Sequence, residues 1–348
     1  MNGQTICMHP IGFLALPLVV MIATAAFAQT RQYFIAAEDG IWDFAPSGKN
    51  LVHCHPDAAP CEIPEPWTNS HSFPVTRFIQ YRDAGFKSPV PQPEWLGILG
   101  PIIRAEVGDT INVRFCNRTQ GAAGMHPHGL RYTKDQEGAH YFGANSGAEP
   151  GSGAEVMPGQ CFDYTWIADG DSGPAGSELS SKVWWYHSHI GEPTDTNKGL
   201  LGPIIVTRKG EARRDGRPKD VDQEFVTAYF IFDKLGGEEP GLMHSINGYV
   251  FGNLKGLTMR DGEKVRWHLL GMGNEVDLHT PHWHGKTVTI GRRSAAQRTD
   301  VVQLLPAGMV TADMKADNPG EWLFHCHVAD HIDAGMFATY QILPKGNE

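Results

Sequence analysis

The chain has little positive charge to offer: 29 Lys and Arg stand against 39 Asp and Glu, a formal net charge of −10. It therefore has no basic footprint to neutralise phosphates, which excludes nucleic acid as a partner. Beyond residue 28 no run is apolar enough to span a bilayer, so no stable membrane insertion is expected of the mature chain. Long amphipathic periods are also missing, which argues against a helical bundle. Methionine forms no cluster that could gather soft metal ions, since Met309, Met314 and Met336 stand alone. Cysteine is sparse, at 6 in 348 residues.

What is present reads as an all-β protein of two domains. There are 40 Gly and 24 Pro, and aromatic residues make up 10% of the chain. That composition fits many short strands joined by turns, and the length allows two cores. Residues 1–28 read as a signal peptide: an apolar run from Ile11 ends at Ala26-Phe27-Ala28, an A-x-A cleavage site. The absence of Lys and Arg from Met1–Pro10 departs from that pattern and leaves an uncleaved anchor as the alternative. Export places the protein in the periplasm or outside the cell, where disulfides form. With Cys7 in the signal and Cys326 reserved for metal, Cys54, Cys61, Cys116 and Cys161 allow three pairings. Cys54–Cys61 is expected to close a short Pro-containing loop and Cys116–Cys161 to join two strands.

The segments Gln32–Ala45 (strand, Gly turn, extended chain), Ile102–Asn117 (two strands split at Gly108-Asp109), Cys161–Ile167, Val183–His189 and Gly199–Thr207 read as strands of a first domain, 29–208. His140–Pro158 reads as a long loop. The charged run 209–222 reads as a solvated linker, and 223–348 as the second domain. The second half repeats the first. Gly108-Asp109-Thr110-Ile111 leads to His126-Pro127-His128-Gly129, as Gly262-Glu263-Lys264-Val265 leads to His282-Trp283-His284-Gly285. Tyr186-His187-Ser188-His189 then corresponds to Phe324-His325-Cys326-His327. Such a repeat points to a duplicated β-sandwich.

Ten of the 17 histidines fall in these motifs or beside them, at His126, His128, His187, His189, His279, His282, His284, His325, His327 and His331. On a strand, residues two apart share a face. Each His-x-His pair thus presents two imidazoles to one point, while Cys326 looks the other way. Cys326, His331 and Met336 are the soft mixed donors of a blue copper site, with the thioether as weak axial ligand. Ser188 cannot supply a thiolate, so only the second domain is expected to hold that copper. The remaining histidines, His244 among them, are read as scattered and without a metal role.

These motifs, in this order, resemble the multicopper oxidases over the mature chain. YFIAAEDGIWDFAP and LGILGPIIRAEVGDTI look like the ceruloplasmin branch, and the two-domain length is similar to bacterial small laccases. The resemblance implies two cupredoxin-like Greek-key sandwiches in tandem and four coppers per chain. His279, Cys326, His331 and Met336 would hold type 1 copper; His126 and His282 would hold type 2. His128, His187, His189, His284, His325 and His327 would hold the type 3 pair. The resemblance further implies O2 and a small reducing substrate as partners, and a homotrimer with clusters at subunit interfaces. The expected activity is laccase-like oxidation of phenols coupled to reduction of O2 to water, with oxidation of Fe(II) or Cu(I) as the alternative. A copper-storing or electron-carrying cupredoxin would need far fewer ligands. Glu137, Asp135 and Asp277 are the carboxylates expected to carry protons, and Asp330 and Asp333 flank His331.

Overall fold

A computed structural model describes residues 1, 3, 28–52, 61–139, 141, 153–237, 239–274 and 276–346. The signal segment, Cys54 and most of the 140–158 loop lie outside the described residues. Among the described residues no helix is long and apolar enough to cross a membrane.

Two β-sandwiches follow each other along the chain, each built of two facing sheets. In the first, one sheet runs Ser72–Tyr81, Thr30–Asp43, Thr110–Asn117, Cys161–Ile167, and the other Ile103–Glu106, Leu201–Thr207, Ser181–His187, His126–Pro127. Their inner faces meet in a core of Ile111, Val113, Phe115, Tyr164, Trp166 and Ile204. The second sandwich packs a six-stranded sheet around Gln223–Asp233 and Lys264–Gly271 against a four-stranded sheet. That smaller sheet runs Thr258–Arg260, Phe337–Leu343, Gly320–Cys326, Pro281–Trp283. Trp267, Trp283, Phe324 and Tyr340 fill its core. Full burial of one such side chain contributes about 1.5–3 kcal/mol. A third apolar cluster, with Phe44, Trp185, Leu201, Phe230 and Leu270, joins the sandwiches to each other.

Three segments differ from the sequence reading. Gly40 makes no turn: Thr30–Asp43 is one unbroken strand, paired with Ser72–Tyr81 from Phe34 to Asp43. Ser72–Tyr81 itself escapes a pattern reading because Pro74 lies inside it. Proline is tolerated there because the strand is at the sheet edge. The Lys and Arg side chains of the run 209–222 are exposed, but part of the run packs. Val221 is buried, and Asp220 accepts a 3.1 Å hydrogen bond from Arg266, whose side chain is fully buried between the sandwiches. Arg266 also makes a bidentate pair with Asp313 at 2.7 and 2.9 Å and donates to Ser181 at 2.9 Å. A buried cation holds only with such full pairing, so part of the charged run serves packing.

Candidate metal centre

The two-residue alternation of the sheets builds the histidine groups. His126 lies opposite His187 in the first sandwich, and His282 opposite His325 in the second. Each pairing strand then turns at a glycine, Gly129 or Gly285, with φ of 68° and 71°. A Cβ at either position would collide with an indole, Trp184 or Trp322. Glycine thus lets each segment turn tightly against an indole directly after the second imidazole of its HxH pair.

In the first group the rings of His126, His128, His187 and His189 stand 5.2–5.6 Å apart. In the second, His282, His284, His325 and His327 stand 4.9–5.4 Å apart. The hydrogen-bond patterns also match. Nδ1 of His126 donates to the Glu137 carbonyl at 2.7 Å, as Nδ1 of His282 does to Asp300 at 2.9 Å. Nδ1 of His187 donates to the Ser188 carbonyl at 3.0 Å, as Nδ1 of His325 does to Cys326 at 2.7 Å. A carbonyl can only accept, so the proton sits on Nδ1 and each Nε2 lone pair is left bare for a metal. The Nε2 atoms face one another in hydrogen bonds of 3.0 Å in both His128–His187 and His284–His325, with His128 and His284 donating and His187 and His325 accepting. Burial, with neighbouring imidazoles adding to it, lowers His128 to about 4. Burial likewise lowers His325 to about 4. Both rings are therefore neutral ligands at pH 7. Among the described residues no hydrogen bond or ring contact joins one group to the other, and His284 and His327 are exposed.

The cysteine site lies behind the second group. Gly320–Cys326 ends at Cys326, whose thiol turns inward, away from His325 and His327. The short helix Ala329–Asp333 brings His331 back, with Nδ1 3.5 Å from Sγ. Ligand atoms of His279, Cys326 and His331 all lie within 4.8 Å of one another, and Met336 is fully buried in the same core cluster as Cys326. The fit to a metal is tested by His279. Its Nε2 hydrogen-bonds Asp277 Oδ1 at 3.2 Å, which leaves Nδ1 buried with no protein partner. An orphaned buried nitrogen beside a thiol and a second imidazole is what a soft-ligand copper site requires. The Thr280 N–H points at Sγ from 3.3 Å and favours the thiolate, against burial, which pushes the thiol up.

The expected carboxylates are placed differently from one another. Asp277 sits on His279, with its oxygens also taken by Ile231 N at 2.9 Å and Asn274 N at 2.9 Å, so it orients a ligand of the cysteine site. Glu137 meets the first histidine group through its carbonyl, while its carboxylate pairs with Lys134. Asp135 bonds Thr133 and Gln136. Two residues escaped the sequence reading. Glu192 lies 3.8 Å from His187 and 3.5 Å from His189. His244, set aside above as scattered, packs its ring 4.8 Å from that of His331 and holds Glu239 Oε1 at 2.5 Å from its Nε2. Its Nδ1 is buried without a partner, and His331 beneath it is only 4% exposed.

The cysteine pair Cys116–Cys161 is bonded, while Cys326 is the free cysteine among the described residues. The Cys54–Cys61 pairing falls on Cys54, outside the described residues.

Residues 97–211 and 223–346 each match a family model described as multicopper oxidase. The chain is 34% identical over 364 residues to the human (Homo sapiens) protein named ferroxidase HEPHL1, covering 96% of this chain and 31% of that one. It is 33% identical to mouse (Mus musculus) ceruloplasmin, covering 93% of this chain and 32% of that one. The chain thus spans about a third of the length of the curated relatives it matches. A solved structure titled as a multicopper oxidase shares the fold, with a TM-score of 0.62 at 22% identity over 90% of this chain and 89% of that one. With the paired histidine groups and the free cysteine already placed by the fold, these matches settle the family: the chain belongs to the multicopper oxidases.

Proposed function

We propose that the protein is an exported oxidase that takes electrons one at a time from Fe(II) and passes them to dioxygen. His279, Cys326, His331 and Met336 would hold type 1 copper. His126 and His282 would hold type 2 copper, and His128, His187, His189, His284, His325 and His327 the type 3 pair, four coppers for each chain. Bound copper supplies one-electron oxidation at the cysteine site and four-electron reduction of O2 to water at the histidine cluster.

The observation that carries the substrate is the Glu239–His244 pair seated on His331. An imidazole and a carboxylate are the nitrogen and oxygen donors that suit Fe(II), while Cu(I) prefers sulfur. His244 Nδ1 is buried without a partner, Glu239 is 57% exposed at its side chain, and Asp330 is exposed next to His331. Together they form a cation-binding entrance over the ligand through which electrons would leave the substrate. The same pair weighs against a phenol, whose ring needs an open His331 edge. The name of the ferroxidase relative supports the same choice. From Cys326 the chain itself runs into His325 and His327, so a covalent path one residue long joins the two sites.

Assembly completes the reading. Each chain carries two half-clusters, between which no hydrogen bond or ring contact runs among the described residues, and the second faces outward at His284 and His327. Head-to-tail contact between copies would close each cluster, and a closed ring, here a homotrimer, is the natural outcome. The Cys116–Cys161 disulfide agrees with export to an oxidising compartment.

Steady-state oxygen uptake with Fe(II) and with a phenol tests the substrate. Glu239→Gln and His244→Ala should each lower kcat/KM for Fe(II) about 10–100-fold, as loss of a ligand-shell partner does, and leave phenol turnover equal or raised. Equal losses on both substrates, or a wild-type preference for the phenol, would sink the Fe(II) reading.

A further inference from the structure

Away from both metal-ligand regions, a cavity of about 590 Å3 opens where the first sandwich meets the segment leading into the second. Its size and its position at a domain junction are those of small-molecule sites. Four guanidinium groups line it, Arg77, Arg104, Arg213 and Arg217, against the carboxylates of Asp222 and Glu224. In a chain of net charge −10 this is a local reversal of sign.

The two carboxylates are already in use. Glu224 gives one oxygen to Arg104 at 2.7 Å and the other to His268 at 2.9 Å. Asp222 accepts from the Lys264 backbone N–H at 2.8 Å. Arg77 is left without a carboxylate among the described residues. It donates to the carbonyls of Ile98 and Gly97 at 3.1 and 3.2 Å, and its guanidinium lies 4.6 Å from the centre of the Trp42 ring. Burial lowers its affinity for the proton, the mark of a cation removed from water without an opposite charge. Arg213 spends one N–H on the Val221 carbonyl at 2.9 Å, and the rest of its fork remains free. A desolvated cation such as Arg77 is costly unless paired, and with the exposed Arg213 beside it the cavity has donors to offer an anion.

The facing wall is apolar and stiff. Pro89, Pro91 and Pro93 fix their own backbone, and Gln92 pins the segment to the carbonyls of Gly97 and Leu99 at 3.0 and 2.8 Å. Trp95 adds an aromatic surface.

We propose that this cavity is a binding site for an organic anion, a carboxylate-bearing molecule with a flat apolar body. The Arg77 and Arg213 forks take the carboxylates bidentately, and the Pro89–Pro93 wall with Trp95 takes the body. The proposal is independent of the Fe(II) reading and its failure would leave that reading intact.

Calorimetric titration of the copper-loaded protein with naphthalene-2,6-dicarboxylate, against the uncharged naphthalene-2,6-dicarboxamide, tests it. The dicarboxylate should bind one per chain and the diamide not measurably. Arg77→Gln should weaken the dicarboxylate about tenfold or more, the loss of a charge-assisted pair. Should Arg77→Gln fail to fold, Arg213→Gln decides on its own, because the Arg213 side chain is exposed and its hydrogen bond goes to the Val221 carbonyl; it should weaken binding about three- to tenfold. Absence of dicarboxylate binding, equal binding of the diamide, or unchanged affinity in Arg213→Gln would overturn the proposal.

Discussion

Ser188 and Cys326 occupy the same place in the two sandwiches, between two histidines at the end of a strand paired with an HxH segment. Around that place the halves diverge. Ser188 Oγ donates to Asp195 Oδ2 at 2.7 Å, and Asp195 also accepts from Gly191 N at 3.2 Å, a closed hydrogen-bonded pocket. Cys326 instead meets His331, His279 and the Thr280 N–H, with a buried imidazole nitrogen left over. The front of each strand is the same and the back is not. A histidine pair can thus be positioned by the sheet alone, whereas the cysteine site needs a thiol and an imidazole, His331, delivered by the following helix Ala329–Asp333.

The largest way to break this contrast is Cys326→Ser, which gives the second sandwich the serine of the first. Blue absorption should vanish and Fe(II)-dependent oxygen uptake should fall by more than the roughly 100-fold that loss of an outer partner costs. Copper content should drop by the type 1 ion only; surviving blue colour would refute the assignment. Asp277→Asn, which keeps the shape but loosens the hold on His279 Nε2, should weaken copper at the cysteine site about 10–100-fold. Competition with a chelator, read by the blue band, measures it, and the histidine cluster should be unaffected.

Acid should affect both halves. His128 and His325 have folded values of about 4, below their ordinary 6.5. The unfolded chain therefore binds more protons between these values, and the stability these neutral rings permit is present above pH 6.5 and lost as pH falls towards 4. The melting temperature of metal-free protein should fall through that window, and a flat profile would contradict the placement of these rings. The smallest effect is expected of Ser188→Cys. It should give no blue absorption, because among the described residues the Ser188 hydroxyl hydrogen-bonds Asp195 and Gly124 rather than an imidazole. The strained buried contact should cost about 1–3 kcal/mol in urea unfolding.

Much of this was legible in the chain because strand chemistry is local. The HxH pairs, their following glycines and the Ser188/Cys326 difference all lie within a few residues of one another. A spacing of two sets which side chains share a face. His244 was not legible. In the strand Leu242–Ile246 it reads as a lone buried polar residue, and its partner His331 stands far along the chain on a short helix. Only tertiary packing makes them neighbours. The packing role of part of the charged run 209–222 was hidden for a related reason. Its composition suits solvent, yet Asp220 is needed by Arg266, which no local pattern connects to it. Asp277 was singled out as a proton carrier by its place just before His279 in sequence, and its hydrogen bond to His279 Nε2 is set by the fold and is not given by that proximity alone.

The claim on which the account rests is that the half-cluster of one copy is completed by the other half-cluster of the next. Co-expressing a His128→Ala, His187→Ala chain with a His284→Ala, His325→Ala chain tests it directly, because neither alone can form a whole cluster. Random assembly places two intact halves together at about one interface in four, so oxygen uptake should recover to about a quarter of wild type. Recovery no greater than the sum of the separate variants would show that the two groups do not meet between copies, and would contradict the account.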